Sequence, residues 1–325
     1  MTEAHLSVCV LAGRDGTFLP DCLASVKCAA DEIVVADLGS GGRVRELAEQ
    51  AGAAVYRPEW EDDFSEIRNF CMERCTGEWV LFLQADERID PEQHQELKLL
   101  LQNPCAEAYL LKPGSGEDPF CPSQLLRLLR NRKNYRFRYR SFAYIPDEEL
   151  YSVQTCAIRV MRPEGKGTGW QQKERLRLLS ADRKEHPADG YVRYLEGVSF
   201  LRRGKYAKSA AFLEQARGEF SGGRLYVPHL YRCLGVCLLE LKRDREAEEV
   251  LTEGFRLFPF YTDLLVLRAK LYRRLGDDEK AVDDLRTGAL LQGHPGAFVP
   301  EPEIGLPAIK AMLEEILADH GGGEK

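Results

Sequence analysis

The chain has 325 residues, 44% of them apolar and 9% aromatic, enough to bury a full core and to form two domains. Its formal net charge of -7, from 45 basic and 52 acidic residues, excludes a nucleic-acid binder driven by overall charge. No stretch reaches the roughly 20 apolar residues that span a bilayer. The first residues, Met1 to His5, lack the basic and apolar regions of a signal peptide, so the expected setting is cytoplasmic.

Taken in chain order, Leu6 to Ala12 reads as a buried strand ended by Gly13 and Gly16. Phe18 to Lys27 has helical spacing, with Leu19, Leu23 and Val26 on one face. Glu32 to Asp37 is a second buried strand, closed by Leu38-Gly-Ser-Gly-Gly42. A helix from Arg43 to Ala51, a short strand at Ala53 to Tyr56, a helix from Phe64 to Cys75 and a buried strand from Glu78 to Leu83 follow. Strands alternating with helices predict a mostly parallel α/β sheet covered on both faces. A further helix runs from Pro91 to Leu101, and Ala108 to Leu150 reads as strands and loops.

The ten cysteines form no Cys-x-x-Cys pair, which leaves out the common zinc and redox spacings. Cys71/Cys75 and Cys233/Cys237 are four apart and share a helical face, as small buried hydrophobes do.

The basic run from Arg127 to Arg140 interleaves with Tyr135, Phe137 and Tyr139. An amphipathic strand accounts for it most simply. Contact of some arginines with a diphosphate comes second, and nucleic-acid binding a distant third.

From Trp170 the pattern is wholly helical, and it repeats. A shift of 34 brings Gly235, Leu238, Leu241, Ala247, Leu251, Gly254 and Leu257 onto Ala269, Tyr272, Leu275, Ala281, Leu285, Gly288 and Leu291. A shift of 38 brings Gly197, Phe200, Ser209, Leu213 and Ala216 onto Gly235, Leu238, Ala247, Leu251 and Gly254, the extra length falling near Ser221 to Arg224. This period, with small residues at these offsets, resembles tetratricopeptide repeats, whose units bury their apolar faces only by stacking. The resemblance implies a surface for peptides, for a second copy of the chain or for a paralogue.

Four segments carry a second resemblance. They are Phe18 to Val26, Asp31 to Ser40, Glu59-Trp-Glu-Asp-Asp-Phe-Ser-Glu-Ile-Arg-Asn69 and Thr76-Gly-Glu-Trp-Val-Leu-Phe-Leu-Gln-Ala-Asp-Glu87. In this order they resemble family 2 glycosyltransferases of the GT-A fold, notably those with trailing tetratricopeptide repeats. The likeness covers residues 5–100 well and 124–140 more loosely.

It implies a Rossmann-like nucleotide-sugar domain that transfers sugar from a UDP-sugar to a protein, peptide or glycan acceptor with Mg²⁺ or Mn²⁺. On the matching positions, Asp37 contacts the uracil, with Gly39 in the loop beside it. Arg68 and Asn69 orient the nucleotide, Gln84 faces the ribose and Asp86 coordinates the cation. An inverting transferase also needs a carboxylate base near the acceptor. Glu148 and Glu149, with Asp147, lie in the right region, where a charged turn after Pro146 is the other reading.

The chain departs from the pattern at polar positions. Gln84 stands for the first acid of the Asp-x-Asp motif. Gly13-Arg-Asp-Gly16 stands for Lys-Asn-Glu-Glu, Ser40-Gly-Gly42 lacks a second carboxylate, Phe142-Ala143 replaces a His-Glu pair, and Met161-Arg-Pro163 replaces a later His segment. Two functions follow: a working transferase, or a catalytically impaired pseudo-glycosyltransferase that acts as a scaffold through its repeats. The expected domains are a glycosyltransferase-like domain at 1–165, a linker helix at 166–188, repeats at 189–295, and a C-terminal helix with a flexible tail at 296–325.

Overall fold

A computed structural model describes residues 5–13, 16–113, 126–132, 134–162, 169–219, 225–292 and 305–321. The chain divides into two compact units, residues 1–185 and 186–325.

The first unit is built on one eight-stranded sheet: β1 (Leu6–Ala12), β2 (Glu32–Asp37), β3 (Ala54–Tyr56), β4 (Trp79–Gln84), β5 (Arg88–Ile89), β6 (Ala108–Pro113), β7 (Leu126–Arg130) and β8 (Val153–Met161). Their spatial order is β3-β2-β1-β4-β7-β6-β8-β5. The first four strands are parallel, as the alternation with helices predicts. Every residue of β1 and β4 is buried, which is how a sheet covered on both faces reads. Beyond β4 the sheet becomes mixed. There β7 runs antiparallel to β4 and to β6, and β8 runs parallel to β6 and antiparallel to β5.

Helices α1 (Leu19–Val26), α2 (Arg43–Gln50), α3 (Phe64–Met72) and α4 (His94–Gln102) follow the expected segments, α3 ending three residues short of Cys75. The strand β8 was not read from the sequence, although Cys156, Ile158 and Val160 alternate inward with Ala157 and Arg159 outward. In the basic run, strand is confined to β7. Tyr135 and Phe137 are buried and Arg136 and Arg138 exposed, but in irregular chain joined only by an Arg138–Tyr144 bridge. Tyr139, at φ 70°, ends the alternation.

The expected linker helix is α5 (Gly169–Glu185), and it falls within the first unit. Its fully buried Asp182 accepts from the backbone N–H of Arg140 at 2.8 Å and of Ser141 at 2.9 Å, tying the helix to the loop before β8.

Among the described residues the second unit holds three packed helix pairs and a further helix: α6 (Gly190–Leu201) with α7 (Tyr206–Gly218), α8 (Val227–Glu240) with α9 (Asp244–Leu257), α10 (Asp263–Leu275) with α11 (Asp278–Leu291), and then α12 (Leu306–Gly321). The small residues of the repeat sit where helices touch. A Cβ at Gly197 would lie 2.6 Å from Leu213, one at Gly235 2.5 Å from Leu251, and one at Gly254 3.0 Å from the stem of Tyr231. Ser209 Oγ, at the equivalent position one repeat earlier than Ala247, donates to the Gly197 carbonyl at 2.8 Å. Residues 221–224, where the longer loop was expected, lie outside the described residues. No helix among the described residues is long and apolar enough to cross a membrane.

Candidate active site

The segment that presents Arg68 and Asn69 is a capped helix start. Asp63 takes an extended conformation and its Oδ1 accepts from the N–H groups of Ser65 at 2.7 Å and Glu66 at 3.2 Å, satisfying donors that have no partner within the helix. With the start fixed there, the 3.6-residue period turns Phe64, Ile67, Arg68 and Cys71 toward the sheet. The motif is thus a cap followed by a buried face.

Arg68 lies between the rings of Phe82 and Phe137, its guanidinium carbon 5.3 and 4.9 Å from their centroids. Burial, then the positive charges of Arg127 and Arg175, bring its pKa down to about 9. Its Nη1 is buried without a hydrogen-bond partner. The Asn69 side chain is used on the protein itself: Nδ2 donates to the Phe137 carbonyl at 3.0 Å and Oδ1 accepts from the Phe137 N–H at 2.8 Å. Asn69 therefore positions Phe137, and through it Arg68.

Asp37 and Gln84 end neighbouring strands on either side of β1, where Asp37 pairs with Ala12 and Gln84 with Leu11. Two strand spacings, roughly 10 Å, separate them. This is the carboxyl-terminal edge at which open α/β sheets hold ligands. Asp37 Oδ1 accepts from the N–H groups of Gly39 at 3.0 Å and Ser40 at 2.8 Å, and Oδ2 accepts from Ser40 Oγ at 2.9 Å. The loop turns through positive φ at Gly39, Gly41 and Gly42. Asp37 thus shapes this loop and keeps lone pairs for a ligand donor.

Gln84 and Asp86 differ from Asp37 in having unused atoms. Gln84 Oε1 is buried without a partner, while its backbone N–H donates to Glu87 Oε2 at 2.7 Å. Asp86 is 2% exposed and neither carboxylate oxygen accepts a hydrogen bond from another residue. The nearest cation is Arg162, whose Nε lies 3.8 Å from Oδ2. Burial, and then the charge of Glu87, raise the Asp86 carboxyl above its ordinary range.

Glu87 closes the strand-end motif, and the sequence assigns it no role of its own. It is fully buried, and its Oε1 accepts from Arg127 at 2.7 Å and Arg162 at 2.5 Å. Burial works to raise this carboxyl, and the charges of Arg127 and Arg162 overcome it and hold the group below its ordinary range. The β5–β8 pairing, with Arg88 opposite Met161, carries Arg162 to this corner. The β4–β7 pairing carries Arg127 there.

The expected divalent cation meets a donor set that does not fit it. Gln84 brings an amide, Glu87 is occupied by two arginines, and Asp86 has a guanidinium as its nearest charge. Among the described residues no group of three or more His, Cys, Asp or Glu is arranged to hold a metal ion. Hard cations take several oxygen ligands; here one carboxylate stands ready.

The expected bases also stand apart. Glu148 is exposed and Glu149 pairs with Arg138, in a short 3₁₀ turn, Asp147–Glu149. No contact joins either to Asp37, Arg68 or Asp86 among the described residues. Phe142, where a His was expected, lies under Arg175 with 5.3 Å from ring centroid to guanidinium, and Ala143 is buried.

Residues 7–163 match the family described as glycosyl transferase family 2. A tetratricopeptide-repeat-containing protein of Synechococcus elongatus is 33% identical over 232 residues, covering 65% of this chain and 56% of its own length. An uncharacterized glycosyltransferase of Rickettsia conorii is 27% identical over 110 residues, or 34% of this chain and 38% of that protein. The chain thus spans about half or less of the curated relatives it matches. Among solved structures, S. aureus TarS in complex with UDP-GlcNAc is 16% identical with a TM-score of 0.43, covering 89% of this chain and 92% of that one. Residues 7–163 thus match glycosyl transferase family 2 on an α/β architecture, and the paired helices of the second unit resemble tetratricopeptide repeats.

Proposed function

We propose that the first unit binds a nucleoside-diphosphate sugar, UDP-linked, at the carboxyl ends of β1, β2 and β4, and transfers the sugar to an acceptor that the repeats recruit. One observation carries this reading. Arg68, Gln84 and Asp86 bring unpartnered, buried polar atoms to one sheet edge of a family 2 domain, where each costs stability unless a ligand completes it. Asp37 and Gly39 would take the base, Gln84 the ribose and Arg68 the charged end. Asn69 supports Arg68 from behind.

In the transfer, an acceptor hydroxyl oxygen bonds to the anomeric carbon while the bond from that carbon to the β-phosphate oxygen breaks. Its electron pair leaves with the nucleoside diphosphate, and a carboxylate base takes the acceptor proton. Glu148, the more exposed of the two candidates, is the one proposed for that base. A protein, peptide or glycan is the proposed acceptor, and a second copy or a paralogue a further partner of the repeats.

Calorimetric titration of UDP and UDP-sugars into the full chain tests the reading. Micromolar to millimolar binding, weakened by Asp37→Ala, is expected. Absence of heat for every nucleotide ends it. A second reading, a nucleotide-sugar-binding scaffold without turnover, draws on Phe142 and Ala143 being built into packing where a polar pair was expected. Release of UDP by purified protein, abolished by Glu148→Gln, decides against the scaffold.

A further inference from the structure

A diphosphate brought to the end of β4 carries at least two negative charges into a corner where burial strengthens every charge interaction. Something positive must meet them, and the side chains available are arginines. Around the buried pair Asp86 and Glu87 stand Arg68, Arg127 and Arg162, three guanidiniums to two carboxylates. Among the described residues these guanidiniums stand there before any ion is added. Arg127 is almost wholly enclosed, with its side chain 4% exposed, whereas that of Arg162 is 20% exposed and so reaches the open side of the corner.

Arg162 is also held in place. Glu87 fixes its Nη2 at 2.5 Å, and Asp86 faces its Nε at 3.8 Å. A guanidinium braced in this way keeps its planar fork oriented, and that fork is suited to two phosphate oxygens at once. A divalent cation seated on Asp86 would have to share the space beside Oδ2 with this guanidinium, against like-charge repulsion.

We propose that Arg162, braced by Glu87 and Asp86, supplies the positive charge for the diphosphate, so that nucleotide binding here needs no divalent metal. This depends on the nucleotide-sugar reading given above. Asp86 and Glu87 are then positioning residues for a guanidinium.

The test is calorimetric titration of UDP into the full chain, once in EDTA and once in millimolar Mn²⁺. Dissociation constants within about threefold of each other are expected, since no step of binding takes up the ion. Arg162→Ala weakens binding in EDTA by about tenfold or more, the worth of a charge-assisted hydrogen bond. Arg162→Lys, which keeps the charge and loses the fork, falls between. Arg162→Gln replaces the alanine variant if the latter fails to melt cooperatively.

Binding that appears only with Mn²⁺ overturns the role of Arg162 and leaves the nucleotide-sugar reading standing. Unchanged affinity of Arg162→Ala in EDTA does the same. No binding of UDP in either medium overturns both.

Discussion

In the helical repeats, Arg268 gives Nε and Nη2 to the two oxygens of Asp284 at 2.8 and 2.7 Å and Nη1 to Thr252 at 2.9 Å. Ser209 donates to the Gly197 carbonyl and accepts from Cys237. These polar groups are spent within the unit. At the edge of the sheet, Arg68 Nη1, Gln84 Oε1 and both Asp86 oxygens are buried and spent on nothing. Each such group costs about 1–3 kcal/mol, and the sheet edge gathers four such atoms on three residues. A fold keeps such a gathering when the place does something else, which supports the proposal that this edge is the functional surface.

Glu87→Ala removes the carboxylate that two arginines share, and it has the largest expected effect. With Arg127 and Arg162 left facing each other in a buried corner, about 3–5 kcal/mol of unfolding free energy should be lost. A change below about 1 kcal/mol in urea melts would show that the corner is held by other contacts. Arg268→Ala, the matching cut in the repeats, exposes Asp284 to the loss of two charged hydrogen bonds and should cost about 2 kcal/mol. The two variants together measure how far each unit relies on its ion pairs.

Glycines sharpen the repeat side. Gly254→Ala places a Cβ 3.0 Å from the Cβ of Tyr231, an atom that cannot swing away, and should destabilise by about 1–3 kcal/mol. Gly288→Ala meets the end of Ile309 at 3.4 Å and Leu265 at an ordinary 4.0 Å, and should raise stability by up to about 1 kcal/mol through helix propensity. Equal effects at the two positions would mean that helix spacing is not set by these contacts.

Asp86→Asn has the smallest expected effect on stability, under about 1 kcal/mol and on the favourable side, because it removes a buried charge that accepts no hydrogen bond from another residue and meets Arg162 only at 3.8 Å. Its pH dependence carries a sign. Since the folded carboxyl titrates above its ordinary 3.8, the folded state binds more protons than the unfolded one between that value and the raised one. Stability of the wild type, measured against Asp86→Asn, therefore falls as pH rises through that window. A rising difference would place a strong partner on Asp86.

Much of this site was legible because its signals are local. The Asp63 cap, the helical period behind it and the apolar run before Gln84 lie within a few residues of what they position. Asp37 ends its strand in the same way. What escaped the sequence was pairing over distance. Glu87 meets Arg127 forty residues on and Arg162 seventy-five residues on. Both meetings depend on strand register in the mixed half of the sheet, and β5, which brings Arg162 in, has only two residues. Asn69 shows the converse. The motif marks it, but only the structure shows both ends of its amide closed on Phe137. Glu148 and Glu149 were suggested only by charge in the right region, and the structure adds that they lie in a short 3₁₀ turn.

The loop after β2 has a consequence for the timing of recognition. Three glycines in five residues would make Leu38 to Gly42 among the most freely moving parts of an unfolded chain. The Asp37 carboxylate gathers two backbone amides and a hydroxyl, and Ser40 passes the restraint on to the Val44 N–H at 3.1 Å. The entropy of ordering this loop, about 1–2 kcal/mol for each residue, is thus met when the domain folds rather than when a ligand arrives. Amide hydrogens of Gly39 and Ser40 should exchange slowly in the free protein, and slow at most slightly further when nucleotide is added.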